Sequence, residues 1–153
     1  MRKENRELLS LMYEEGILNH KYGPNKKIAN DIYRICKSQN FDLESILETV
    51  EIMLLTATEA DRFHDTSLYL YKRLPRKVRK QLRQYAIDGL RKGFQKITES
   101  RSYRKSELLA VYAIFLEKVK ENPLVYVAWQ KGIRYLERYP SEAWCYFTTI
   151  TSP

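Results

Sequence analysis

Histidine and cysteine are almost missing from this chain, with two of each in 153 residues. So few leave little for a metal centre or for a nucleophile paired with a basic imidazole. His64 stands near Asp61 and Asp65 without an established ligand spacing, and His20 sits in a turn segment. Cys36 and Cys145 are far apart and form no CxxC, so they are read as reduced thiols in a cytoplasmic setting, with no disulfide. Glycine and proline, five of each, are also scarce, and neither a glycine-rich phosphate loop nor a flexible linker is present. No stretch of 18 uncharged apolar residues exists, so no membrane-spanning helix is expected. The charged start MRKENRELL has no apolar run behind it and does not read as a secretory signal. With no cofactor motif, no metal motif and no catalytic set, the chain reads as a non-enzyme.

What the sequence does have is helical periodicity. Residues 2 to 18 place Leu8, Leu9, Leu11 and Met12 on one face. Pro24 and Asn25 open a second helix with Ile28, Ile32, Ile35 and Cys36 at helical spacing, ending near Gln39 and Asn40. Asp42 is placed to cap a third, in which Leu43, Ile46, Leu47, Val50, Met53, Leu54 and Ala57 alternate with the acidic side Glu44, Glu48 and Glu51. That acidic row is read as a solvated or subunit-facing side rather than as paired catalytic carboxylates. Either Thr58 with Asp61 caps a fourth helix or the third helix continues; in both cases the apolar side runs through Phe63, Leu68, Leu70, Tyr71 and Leu74 to the break at Pro75.

Beyond Pro75 a long helix carries Val78, Leu82, Tyr85, Ala86, Gly89, Leu90, Gly93 and Ile97 on its apolar face. The two glycines there leave room for a close neighbour. A polar bridge, Thr98 to Arg104, leads to a helix with Leu108, Val111, Tyr112, Phe115 and Val119. The last helix opens at Pro123 and carries Val125, Ala128, Trp129, Ile133 and Leu136. Residues 140–153 show no clear period and read as an irregular tail, with a strand-like CYFTTIT near its end. The prediction is an all-α fold, a single helical bundle of six or seven helices in one domain over residues 1–153.

Charge is distributed unevenly over this pattern. From Lys72 to Lys105 there are thirteen Lys or Arg against Asp88 and Glu99, a net of +11, while the whole chain is +8. A solvated helix usually interleaves signs, because like charges four residues apart repel. A segment that does not interleave them points to an anionic partner. On a helical wheel Arg76, Lys80, Arg83 and Arg91 fall within about a quarter turn, with Lys77 beside them, and extend over roughly 22 Å. Such a row suits consecutive phosphates and would bind without reading sequence. Arg76, Lys77, Lys80, Arg83, Arg91 and Lys92 are the candidate nucleic-acid contacts, followed by Arg101, Arg104 and Lys105. Tyr71, Tyr85 and Tyr103 lie within or beside the segment; Tyr85 reads as a core residue, and Tyr103, in a polar connection, reads either as stacking on an unpaired base or as simply exposed.

A helix-turn-helix over residues 25–50 is disfavoured, because Tyr33 occupies the expected turn-glycine position and the reading helix would be acidic. Taken as a profile of helix lengths, the +11 segment and the Glu44/Glu48/Glu51 face, the chain resembles the small subunit of CRISPR effector complexes of the Cascade-like type I form. The resemblance is carried by this profile and not by a specific motif. The resemblance implies a non-catalytic subunit that packs with copies of itself and other subunits along a guide RNA complex. There it would hold the target or displaced DNA strand by its backbone, while base pairing reads the sequence. Through the acidic row it would meet a basic neighbour, with no membrane and no cofactor involved. The competing class is a helical protein-interaction module, an adaptor or inhibitor whose basic face meets an acidic protein.

Overall fold

The computed structural model describes residues 3, 7, 23–56 and 60–151, so the helix expected over residues 2–18 and the cap expected from Thr58 lie outside the described residues, apart from Lys3 and Glu7. Among the described residues there are seven α-helices, one short 3₁₀ turn and no strand, and the protein is all-α. The chain divides into two compact units, Met1–Gln81 and Leu82–Pro153.

In the first unit, α1 (Lys26–Ser38) begins where the Asn25 side chain accepts a hydrogen bond from the Ile28 N–H at 3.1 Å. It buries Ile28, Ala29, Ile32 and Cys36. Its end is closed by two bonds, from the Asn40 N–H to the Lys37 carbonyl at 3.1 Å and from the Phe41 N–H to the Cys36 carbonyl at 2.8 Å. This is the Schellman pattern, with asparagine at the left-handed position usually given to glycine. Asn40 has φ 54° and Phe41 φ 53°. Asp42 then caps α2 (Leu43–Thr56) through its Oδ2, which accepts from the Ser45 N–H at 3.1 Å, as the sequence predicts. Ile46, Val50 and Met53 are buried. α3 (Ala60–Arg73) adds Phe63, Leu70 and Tyr71, and is tied to the start of α1 by the Asn25 N–H donating to Thr66 Oγ1 at 2.9 Å.

α4 (Arg76–Glu99) starts directly after Pro75, and its first six residues belong to the first unit. The second unit contains the remainder of α4, then α5 (Lys105–Glu121), a 3₁₀ turn (Pro123–Val125), α6 (Tyr126–Arg138) and α7 (Pro140–Thr151). The buried Asn122 shapes the 3₁₀ turn by accepting from the Leu124 N–H at 3.3 Å. The core of this unit is aromatic. Trp129 stacks on Phe147 with ring centroids 4.9 Å apart, and Phe115 meets both edge-on, at 5.3 Å from Trp129 and 5.8 Å from Phe147. Such pairs add about 0.5–1.5 kcal/mol each beyond the area they bury.

The irregular tail expected over residues 140–153 is corrected by α7. Tyr139 ends α6 through its N–H to the Tyr135 carbonyl, and its own carbonyl accepts from the Ala143 N–H at 3.0 Å. Pro140 is thus the first residue of a new helix, where its missing N–H costs nothing. Ala143 and Phe147, four apart, are both fully buried, which is the helical spacing that the strand-like CYFTTIT reading overlooked.

Gly132 lies where α6 passes Phe147, and a Cβ there would fall inside the van der Waals envelope of that ring. The overpacking cost of about 1–3 kcal/mol exceeds the ~1 kcal/mol that alanine returns as a better helix former. Gly132→Ala is therefore expected to lower the urea midpoint, at an unchanged slope. A second expectation concerns Cys36, whose thiol burial pushes up to about 11 from 9.0 against a weaker hydrogen bond with Thr49. The folded state holds this proton more tightly than the unfolded one, so the associated stability is present below pH 9.0 and is lost as pH rises toward about 11. Urea titrations from pH 8 to 11 should show a shallower decline in Cys36→Ala than in the wild type.

Candidate nucleic-acid interface

The apolar stripe of α4 fixes where its cations point. Val78, Leu82, Ala86, Leu90, Gly93 and Ile97 are buried, at spacings of three or four. In the second unit the two glycines of this helix serve the close approach that their spacing suggests. A Cβ on Gly93 would stand 2.5 Å from Trp129 Nε1, and one on Gly89 would overlap the Tyr126 phenol. Every position turned away from the stripe is polar or charged, with Phe94 and Ile87 as the exceptions.

Within the first unit, the opening of α4 presents Arg76, Lys77 and Lys80, all exposed. No acidic residue occupies the first turn of this helix. The N-terminal end of a helix carries a partial positive charge from its unpaired N–H groups, so cations there are unfavourable and anions favourable. Arg76 and Lys80 are four apart and Lys77 and Lys80 three apart, so mutual repulsion adds to the dipole term.

Within the second unit, α4 presents Arg83, Arg91 and Lys92, again exposed. Arg83 is drawn toward the end of α5, where its guanidinium donates to the Lys120 carbonyl at 3.3 Å. Among the described residues, Arg91 and Lys92 have no carboxylate partner. Asp88 accepts from Gln84 Nε2 at 2.9 Å and Glu99 from Gln95 Nε2 at 3.1 Å. Both acids of the basic segment are thus engaged by neutral amides, and neither forms a salt bridge with a neighbouring cation. Lys96 differs. It pairs with Glu137 of α6 and holds that carboxyl below its usual range, mainly by the hydrogen bond it donates.

The second group of candidates is placed differently. Arg104 donates to Glu107 at 2.9 Å and lies over the rings of Tyr103 and Trp144, at 5.2 and 5.5 Å from their centroids. The hydroxyl of Tyr103 first, and Glu107 second, raise its already high pKa. Lys105 donates to the Thr98 carbonyl at 2.7 Å and so closes the end of α4. Both side chains hold the connection between α4 and α5. Arg101 is exposed and makes no ion pair among the described residues.

The tyrosines also separate. Tyr71 is buried at 6% exposure, with its hydroxyl on the Arg79 carbonyl at 3.4 Å, and is unavailable for stacking. Tyr85, read from the sequence as core, is 36% exposed. It leans edge-on against Tyr126 at 5.4 Å and accepts from Gln130 at 3.0 Å, because it lies at the margin of the stripe. Tyr103 is 78% exposed. The sequence reading passed over Phe94, which is 43% exposed, lies at the border between the cationic side of α4 and its apolar stripe, and packs on Tyr112 of α5. The signal was present: a phenylalanine out of phase with the apolar stripe.

Among the described residues, no group of three His, Cys, Asp or Glu side chains is arranged to hold a metal ion, and no helix is long and apolar enough to cross a membrane. No protein-family profile, curated protein or solved structure matches this chain.

The helix opening gives a test of stability. Replacing both Arg76 and Lys77 by glutamate should stabilise the fold at low salt by about 0.3–1 kcal/mol for each charge that comes to favour the dipole, read as a higher melting temperature. The gain should shrink in thermal scans as salt is raised toward 1 M.

Proposed function

We propose that this protein is a non-catalytic helical subunit that binds the backbone of a nucleic acid without reading its sequence, through the exposed side of α4. One observation carries the reading. Arg76, Lys77, Lys80, Arg91 and Lys92 are exposed and, among the described residues, lack carboxylate partners, while the two acids in the same segment are engaged by glutamines. Repulsion along the row and against the helix dipole destabilises the free protein, and a polyanion would relieve both. Arg83 and Arg101 extend the set, whereas Arg104 and Lys105 act mainly to position the connection after α4.

In its finer form the reading is the small subunit of a CRISPR ribonucleoprotein. There the chain would sit among copies of itself and other subunits on a guide RNA complex and hold the target or displaced DNA strand. The all-α architecture and the single basic segment support this form, as does the acidic side of α2 carrying Glu44 and Glu48.

The test is a fluorescence-anisotropy titration with random single-stranded and duplex DNA at several salt concentrations, alongside a variant with Arg76, Lys80, Arg83 and Arg91 changed to Glu. The wild type should bind with a log–log salt slope of about −0.7 per single-strand phosphate contacted, and the variant should lose about 3 units of that slope together with most of the affinity. A wild type that ignores both DNAs at low salt, yet co-purifies with an acidic protein, would replace this reading with the protein-interaction module.

A further inference from the structure

The backbone reading leaves open which form of nucleic acid the row receives. The aromatic residues around it bear on this. Tyr71 is buried, Tyr85 is engaged by Gln130 and Tyr126, and one face of Tyr103 is covered by Arg104. Phe94 remains, and it differs from the others in having no polar atom whose hydration would explain its exposure.

Its position follows from the helix period. Phe94 is three residues beyond Arg91 and eleven beyond Arg83, so on α4 it falls about 60° from Arg91 and 20° from Arg83, at the border between the cationic side and the apolar stripe. Of its neighbours one turn away, Arg91 and Thr98 are exposed, whereas Leu90 and Ile97 are buried. The ring does not project loosely from this surface. It rests on Tyr112, with centroids 5.0 Å apart and planes inclined at 45°, and Tyr112 in turn meets the buried Trp129 at 5.7 Å. The aromatic core of the second unit therefore continues outward, ring against ring, and ends in the exposed Phe94 beside Arg91. A ring supported from below, with its outer part open and a guanidinium one turn away, has the features of a base-stacking platform. The cation neutralises the phosphate while the ring receives the base. Asp88 is engaged by Gln84, and Glu117 on α5 is paired with Lys120 at 2.8 Å.

We propose that Phe94, backed by Tyr112, stacks on an unpaired base, and that the ligand of the α4 surface is consequently a single strand. This rests on the backbone-binding reading and deepens it. In a duplex the bases are stacked on one another and present no free π-face, so only a single strand gains from Phe94, whereas cations alone would serve both forms.

The experiment uses the full chain and three labelled probes: a 20-nucleotide oligothymidylate, a 20-base-pair duplex, and a 20-unit strand of abasic sites with the same phosphate spacing. Wild type, Phe94→Leu and Phe94→Tyr are compared by anisotropy, with thermal melts to verify folding. Leucine keeps an apolar contact with Tyr112 but removes the π-face; tyrosine keeps both. Wild type should prefer oligothymidylate to the abasic strand by about 10-fold, within the range found for one stacked base. Phe94→Leu should abolish that preference without changing affinity for the duplex or the abasic strand, and Phe94→Tyr should retain it. Equal wild-type binding of oligothymidylate and abasic strand, or a preference that survives in Phe94→Leu, overturns the stacking proposal and leaves backbone binding intact. Failure of wild type to bind any of the three at low salt overturns the backbone reading as well.

Discussion

The second unit depends on how closely α4 lies against α6. Gly89 and Gly93 offer no Cβ to Tyr126 and Trp129, so the aromatic rings occupy the space that side chains on α4 would have filled. Trp129 then stacks on Phe147, which fills the notch left by Gly132, and Phe115 closes the cluster from α5. Three helices are thus fitted to α6 and its single tryptophan. Glycine in a helix interior costs about 1 kcal/mol relative to alanine, and here that cost is offset by a dense aromatic core.

The same packing determines the chemistry of the surface. Once one stripe of α4 is buried, the rest of its circumference must face outward, and in this sequence that circumference is cationic. A solvated helix could relieve the repulsion by interleaving acids, but this one supplies only Asp88 and Glu99 and occupies both with glutamine amides. The unfavourable charges at the helix opening and along the row are tolerated because the core holds the helix in place.

Positive charge alone did not determine which cations stay available. Arg104 and Lys105 are as basic as Arg91, yet one lies between Tyr103 and Trp144 with Glu107 and the other closes the end of α4. Both are at a helix junction, where carbonyls lack partners and long cationic side chains are recruited to satisfy them. Arg91 and Lys92 are in mid-helix, where the backbone is already satisfied.

Periodicity in the sequence was enough to determine the all-α class, the breaks at Pro75 and Asn122, the Asp42 cap and the outward row on α4, because each follows from local backbone rules and a 3.6-residue repeat. It did not reveal α7, whose opening proline looked like a terminator and whose Phe147 is meaningful only once Gly132 and Trp129 are in place. Nor did it single out Phe94. Only the approach of Tyr112, eighteen residues further along on another helix, turns that ring into the outer end of a stack. Such contacts are between residues distant in sequence, and a local repeat contains no information about which side chains meet across them.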